Sequence, residues 1–425
     1  MALEDKKRTI GTDVVHGDSV FQNRSHEVAP SISVTTSFQA TLSNPEPTVT
    51  DIREGRAHGY SRLSQPTSTR VESVLSKIHD GYALTYGSGL AAAQAVLEFY
   101  KPKKIAITGG YYGVHLVIEN YKRDRGVEVV DIDIEDYAGV DLCWIETPLN
   151  PTGEARNLQY YADRVHAVGG QLVVDATFAP PPLQYPFKWG VDMIMHSGSK
   201  YLGGHSDLLN GTLVVKTETD ALLTYFQLWK KRYVLGSPMG SFEAWLLLRS
   251  LRTLHLRVPR QSASATHLAQ WLDHIARTPA GETYDGVPGG IIEKTFHSSL
   301  QGQDGNAWSP AQQMEGGGSP TFAILMARPE WAEFLPRKLE LFTNATSLGG
   351  VESLIEQRAK SSPGEDPRIV RISVGVEEVE DLKDDMRRVL QAISQVSLPF
   401  AEMRPDSKLT VLFSALTHIS PIVLS

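Results

Sequence analysis

Lys200 and Asp175 are the two residues in this chain whose type and setting point most directly to chemistry. Lys200 closes the segment MIMHSGSK. The apolar run Met193 to Met195 reads as a buried strand, and Ser197-Gly198-Ser199 as the small polar turn after it. Asp175 ends a second buried strand, LVVD. Taken alone, such a lysine is usually a solvated surface charge and such an aspartate a helix cap. Together they are the pair that pyridoxal 5′-phosphate (PLP) chemistry requires: an amine to form an imine, and a carboxylate to keep the pyridine nitrogen protonated as an electron sink. Desolvation beside a cationic ring would lower the lysine pKa enough for imine formation and proton shuttling. Thr177, two residues beyond Asp175, is expected against the ring or its O3′ region.

A phosphate needs its own cradle. The hydroxyls of Ser197 and Ser199 and the free amides of their turn can hold one. Gly203-Gly204 just downstream are expected to let a ligand approach closely. Tyr86-Gly87-Ser88-Gly89-Leu90 leads into a helix. Its first amides, those of Gly89 and Leu90, are assigned to the cofactor phosphate. As half of a dinucleotide fingerprint the segment fails, because position 92 is Ala and no acidic residue follows in a ribose-binding context. Glu146-Thr147-Pro148-Leu149-Asn150-Pro151 follows another apolar run, VDLCWI. Its prolines stiffen a turn that presents Asn150 at the carboxyl edge of a sheet, where ligands of open α/β sheets bind. Ser197-x-x-Lys200 also matches a serine β-lactamase nucleophile pattern, but the partner motifs SDN and KTG are missing.

The elements that must position these residues form a large α/β domain. KKIAIT, VEVVDIDI, VDLCWIET, GQLVVDAT, VDMIMHS and GTLVVK are continuous, Val/Ile-rich runs, as strands of a parallel sheet covered on both faces read. Helices are predicted from Arg70 (apolar at Val71, Val74, Leu75 and Ile78), over Leu90 to Tyr100 and over Leu158 to Val168. Ser241 to Arg257 reads as one long helix closed by Pro259. Beyond about residue 260, the strands TFAILMA and RIVRISVG and a last helix with Val379, Leu382, Met386, Val389, Leu390 and Ile393 on one face form a smaller α+β domain. The expected division is an N-terminal arm at 1–60, a PLP-binding domain at 61–258 and a C-terminal small domain at 259–425.

Composition narrows the class. The chain has 425 residues, 41% hydrophobic and 21% charged, close to the soluble globular average. A formal net charge of −8 argues against nucleic acid or an anionic membrane as partner. No apolar run is long enough to span a bilayer, and MALEDKKRT lacks the apolar core of a signal peptide. The one cysteine, Cys143, lies in an apolar run and reads as a buried structural thiol. A cytoplasmic setting is expected.

These segments resemble the PLP-dependent Cys/Met-metabolism (transsulfuration) family, with its cystathionine γ-synthases, cystathionine lyases and acyl-homoserine sulfhydrylases. The resemblance runs from about residue 10 to 395 and rests on seven motifs in order. They are Tyr60-Ser61-Arg62 with Pro66-Thr67, SGLAA at 88–92, IETPLNP, VVDATFAP, SGSKYLGGHSD, SLGGVESLIE at 347–356 and RIVRISVGVE at 368–377. It implies a fold type I, aminotransferase-like architecture and a homotetramer built from two active dimers. It also implies that Tyr60 and Arg62 reach the phosphate of the neighbouring subunit, while Ser88, Ser197 and Ser199 serve the phosphate within the subunit. A tyrosine stacks on the cofactor: Tyr111, with Tyr112 as the alternative. Arg371 would clamp the substrate carboxylate as a bidentate fork, assisted by Asn150 and the Ser347-Leu348 turn.

Departures from the family pattern fall around the second substrate. Thr346 stands where the γ-acting members often carry Glu, and His115 or Leu116 where an arginine often follows the stacking tyrosine. The segment HSSLQGQDGNAWSPAQQMEGGGSP is atypical, and the tail after residue 400 has no family counterpart. The expected function is γ-replacement on an O-acyl-homoserine, with acetate as the leaving group, through a vinylglycine-type intermediate to which a thiol or a carbon nucleophile adds at Cγ. The alternatives are γ- or β-elimination of the cystathionine-lyase type and a catalytically silent PLP-fold regulatory protein; a nicotinamide dehydrogenase is the weaker rival.

Overall fold

The structure, a computed structural model, describes residues 8–24, 28–39, 48–217, 220–302 and 308–393. The tail after residue 400 lies outside them. The region read as an arm contains two short helices, α1 (Ile10–His16) and α2 (Val49–Arg53). Helix α3 (Pro66–His79) begins on a proline at its first position, four residues before Arg70, where a missing N–H costs nothing. It buries Val71, Val74, Leu75 and Ile78, as the spacing predicts.

The large domain is built on seven strands: β1 (Gly81–Tyr86), β2 (Lys104–Ile107), β3 (Glu128–Val130), β4 (Leu142–Glu146), β5 (Gln171–Asp175), β6 (Met193–Ser197) and β7 (Gly211–Lys216). Their order is β1-β7-β6-β5-β4-β2-β3. The five strands from β6 to β3 are parallel, but β7 pairs antiparallel with β6, and β1 antiparallel with β7. The sheet is therefore mixed rather than wholly parallel. GTLVVK is buried along nearly its whole length, so its apolar run reports burial and not direction. Alternate residues feed two cores. Cys143, Ile145, Leu172, Val174 and Ile194 face one side; Leu142, Trp144, Val173, Met193 and Met195 face the other. Helices α4 (Gly89–Tyr100), α5 (Tyr112–Arg125), α6 (Leu158–Ala167) and α7 (Ala221–Val234) cover the two faces.

The single helix expected over 241–257 is two: α8 (Ser241–Leu251) and α9 (Leu254–Arg277). The chain leaves helical geometry at Thr253 (φ −112°, ψ 7°), and Pro259 lies inside α9 instead of closing a helix. Near the start of α9 its missing N–H costs a single backbone bond. Helix α9 also runs through residues 258 and 259, with Leu254 and Val258 in one core and Leu268 and Leu272 in another.

The small domain contains a hairpin of β8 (Thr283–Tyr284) and β9 (Val287–Pro288), then β10 (Ile292–Phe296), α10 (Pro310–Gln313), β11 (Thr321–Met326), α11 (Pro329–Lys338), β12 (Thr343–Asn344), β13 (Leu354–Gln357), β14 (Ile369–Ser373) and α12 (Val379–Ile393). Strands β10-β11-β14-β13-β12 form one sheet. Leu268 and Leu272 of α9, Leu335 of α11 and Met386 and Leu390 of α12 pack on Phe322, Ile324, Val370 and Ile372 of that sheet. Among the described residues no helix is long and apolar enough to cross a membrane.

Candidate active site

The cleft is built where β4, β5 and β6 end and the small domain folds over them. Lys200 sits in the turn after β6. Its Nζ donates to the Ser347 Oγ of the small domain at 2.8 Å. Burial, and then the positive charge of Arg371, push the Lys200 amine down to about 8. Asp175 is buried, and its Oδ1 accepts from the Thr177 amide (3.0 Å) and hydroxyl (2.5 Å). Both bonds go to one oxygen, leaving Oδ2 to meet a further donor. The Thr177 hydroxyl is thus committed to orienting Asp175, and it also accepts from the Ser197 amide at 2.8 Å. Its hydrogen is spent on the carboxylate, so a hydrogen bond donated from it to a ligand ring would compete with Asp175.

Ser88 caps α4: its hydroxyl accepts from the Ala91 amide at 3.2 Å, and its carbonyl takes the Ala92 amide. The first two N–H groups, of Gly89 and Leu90, remain at the helix mouth as donors. Gly89 lies against Ser197. A Cβ there would come 3.1 Å from the Ser197 Oγ. The Ser199 hydroxyl accepts from the Asn210 amide at 2.9 Å and keeps its own hydrogen to donate. Gly203 and Gly204 do something other than admit a ligand. A Cβ on Gly203 would meet the Gly198 carbonyl and Leu208, and one on Gly204 would overlap the Arg257 guanidinium. They permit packing within the protein.

Tyr111 is the N-cap residue of α5, and its ring packs edge-on against Tyr112 at 5.0 Å. Gly113 is needed there, because a Cβ would stand 2.5 Å from the Tyr111 ring. Burial raises the Tyr111 hydroxyl, while the charges of Arg358 and Arg371 act on it in the opposite sense. His115 turns back to the Gly109 carbonyl at 2.8 Å, and Leu116 is exposed.

Arg371 on β14 is buried; its Nη1 donates to the Asn150 Oδ1 at 3.0 Å and its Nη2 to the Ser347 carbonyl at 2.8 Å. Leu348 is buried behind Ser347. Two acidic residues here escape a sequence reading. Glu146, at the end of β4, accepts from the Asn150 amide at 2.9 Å and the Tyr111 amide at 2.7 Å. One carboxyl group thereby fixes two expected ligand-binding residues. Burial raises its pKa, as does the Asp175 charge on the neighbouring strand. Glu356 on β13 is the cross-strand partner of Arg371 and is ion-paired with it.

Tyr60 and Arg62 stand apart from this cluster. Both are exposed, and the guanidinium lies over the Tyr60 ring at 5.1 Å. Cys143 is buried, and burial pushes its thiol up to about 12, which leaves it unsuited to nucleophilic work. Among the described residues no His/Cys/Asp/Glu cluster suits a metal ion.

The donor set fits PLP. It offers a desolvated amine, a buried carboxylate with one oxygen left over, and the Ser197 hydroxyl set against the first turn of α4. A family model for Cys/Met metabolism PLP-dependent enzymes matches residues 11–391. The chain belongs to that family. It is 30% identical to the cystathionine gamma-lyase of Saccharomyces cerevisiae over 92% of this chain and 99% of that protein. It is 28% identical to the cystathionine gamma-synthase/O-acetylhomoserine (thiol)-lyase of Bacillus subtilis over 82% and 90%. Among solved structures, metB from Corynebacterium glutamicum superposes with a TM-score of 0.79 at 26% identity, covering 92% of this chain and all of that one. The cystathionine gamma synthase of Xanthomonas oryzae superposes with the same TM-score at 25% identity, again covering 92% and 100%. The family member described here is a PLP-dependent enzyme of fold type I, with the γ-elimination and γ-replacement chemistry of amino acids as its class.

Proposed function

We propose that this chain catalyses γ-replacement on O-acetyl-L-homoserine, joining the four-carbon amino-acid unit to an incoming nucleophile at Cγ. The observation that carries the reading is the bond from Lys200 to Ser347, because it sets a desolvated amine between the Asp175 end of the cleft and Arg371. When bound, PLP would supply the electron sink that makes Cα and then Cβ acidic.

The rest is the work of this chain's own residues. Lys200 holds the cofactor at rest, then takes the Cα proton and returns it after the nucleophile has added. Asp175, oriented by Thr177, holds the ring nitrogen's proton. Gly89, Leu90, Ser88, Ser197 and Ser199 receive the phosphate. Tyr111 stacks on the ring, kept in place by Glu146. Arg371, with Asn150 and the Ser347-Leu348 turn, receives the amino acid's carboxylate. Exposed Tyr60 and Arg62, with no role inside their own cleft, serve the phosphate of a neighbouring subunit in a homotetramer of two active dimers. Thr346 is exposed and uncharged at the mouth, which suits a nucleophile without an ammonium to be held, such as an enolate carbon, as well as a simple thiol.

The likeness to cystathionine gamma-lyases favours a second reading, in which the γ-leaving group departs and water completes the reaction. Incubation with O-acetyl-L-homoserine and a panel of thiols and carbon acids, with products identified by mass, separates the two. Adducts at Cγ support replacement; 2-oxobutanoate alone, whatever nucleophile is present, supports elimination.

A further inference from the structure

The Arg371 guanidinium is not free to receive a carboxylate as the cleft stands. Nη2 already donates to the Ser347 carbonyl and is ion-paired with Glu356 Oε1, so Glu356 stands against the guanidinium corner that every two-pronged bond must use. An incoming carboxylate can form a two-pronged bond only if Glu356 gives way. Glu356 has somewhere to go. The same Oε1 accepts from Arg358 Nη1 at 2.7 Å, and Oε2 accepts from the Ser361 hydroxyl at 2.7 Å. Arg358 Nη1 also donates to Ser361 at 3.0 Å, closing a small ring of bonds that excludes Arg371. Glu356, Arg358 and Arg371 are 5%, 4% and 5% exposed, so a net charge among them is poorly screened by water and favours a counter-charge at the site. Arg358 Nε is buried without a partner, which leaves this guanidinium capacity for a closer grip on Glu356.

The charge count gives Arg358 its purpose. Two guanidinium groups against one carboxylate leave a single positive charge, and a substrate α-carboxylate cancels it. Without Arg358, Glu356 and Arg371 would form a neutral pair. An incoming carboxylate would then bury an uncompensated negative charge.

We propose that Arg358 is a positioning residue for amino-acid binding: it takes over the Glu356 carboxylate and so releases Arg371 to the substrate. The proposal rests on the reading that Arg371 receives the α-carboxylate. Arg358 touches no substrate and acts through Glu356. A merely structural arginine, tying the turn at 358–361, would affect every ligand alike.

The test uses the holoenzyme and two ligands that lack a γ-leaving group, L-norvaline and L-norvalinamide, which differ in the carboxylate. Dissociation constants come from calorimetry, and unfolding midpoints are measured alongside. Arg358→Met should weaken norvaline at least about tenfold and norvalinamide by less than about twofold. With O-acetyl-L-homoserine, KM should rise while kcat changes little. Glu356→Gln combined with Arg358→Met should restore norvaline binding, and Arg358→Lys should retain it; these two variants carry the test if Arg358→Met does not fold. Unchanged norvaline binding in Arg358→Met, equal losses for both ligands, or no recovery in the double variant would overturn the proposal. If Arg371→Lys leaves norvaline binding intact, the carboxylate reading itself is wrong, which is a separate outcome.

Discussion

Lys200 Nζ donates to Ser347 Oγ across 2.8 Å, tying the end of β6 to the small-domain loop that leads into β13. Ser347 adopts a left-handed φ of 80°, a conformation that costs a non-glycine residue free energy and is held by its surroundings. Gly349 follows at φ 81°, and a Cβ there would stand 2.7 Å from the Tyr201 amide nitrogen. The loop backbone therefore lies directly on the lysine segment, and the amine is desolvated as a consequence.

This burial sets a pH dependence. A lysine held near 8 is protonated and unreactive below that value and a free amine above it, whereas an exposed lysine would need pH near 10.5. Stopped-flow mixing of apoenzyme with PLP should show an imine-formation rate that rises through pH about 8 and levels off above it. A rate still climbing steeply between pH 9 and 10 would mean that the amine is not depressed.

Asp175→Asn should keep the fold and retain PLP, because an amide oxygen can still take the two bonds from Thr177. It should lose catalysis, because a neutral partner no longer holds the ring proton. The expected fall in kcat is at least about 30-fold, corresponding to ~2 kcal/mol for a hydrogen bond to a charged group. Near-wild-type turnover with bound cofactor would remove Asp175 from this role.

A shared site predicts complementation. Arg62→Ala and Lys200→Ala should each be inactive. In a mixed dimer one site inherits both lesions and the other neither, so activity should return toward about a quarter of wild type per subunit when equal amounts are exchanged to a random mixture. No recovery despite demonstrated subunit exchange would confine Tyr60 and Arg62 to other work.

Thr346→Glu should shift preference toward cysteine and away from a β-keto acid or ester, because a carboxylate attracts an ammonium and repels an anionic carbon acid. The shift should be about 1–2 kcal/mol in relative kcat/KM, since the position is exposed and one charge is screened. An unchanged product ratio in direct competition would show that position 346 does not read the second substrate.

What the sequence made legible follows from what is local. Asp175 ends a buried strand and Lys200 and Asn150 each follow one, and a strand followed by a small polar or Pro-rich turn can be read without knowing its neighbours. The opening of α4 by the Gly87-Ser88-Gly89 turn is equally local, but the capping of that helix by Ser88 was not read. Glu146 and Glu356 were not legible, because each works through residues brought near only by the fold: Glu356 meets Arg371 through the β13–β14 register. Strand direction was hidden for the same reason, since β7 is covered like its parallel neighbours. Strand β1 is missed because GYALTY mixes polar residues into a run whose burial comes from pairing with β7. Pro259 misled because α9 carries a proline inside it at the cost of one backbone bond and continues past it. Gly203 and Gly204 misled because packing against Leu208 and Arg257 demands a missing Cβ as strongly as a ligand does.

The central claim is that Lys200 carries PLP as an imine, and borohydride tests it most directly. The holoenzyme is reduced, digested and mapped by mass spectrometry. The pyridoxyl group should be found on the peptide containing Ser197-Gly198-Ser199-Lys200, at Lys200, in near-stoichiometric yield. A pyridoxyl group on another lysine, with Lys200 unmodified, would contradict the site described here.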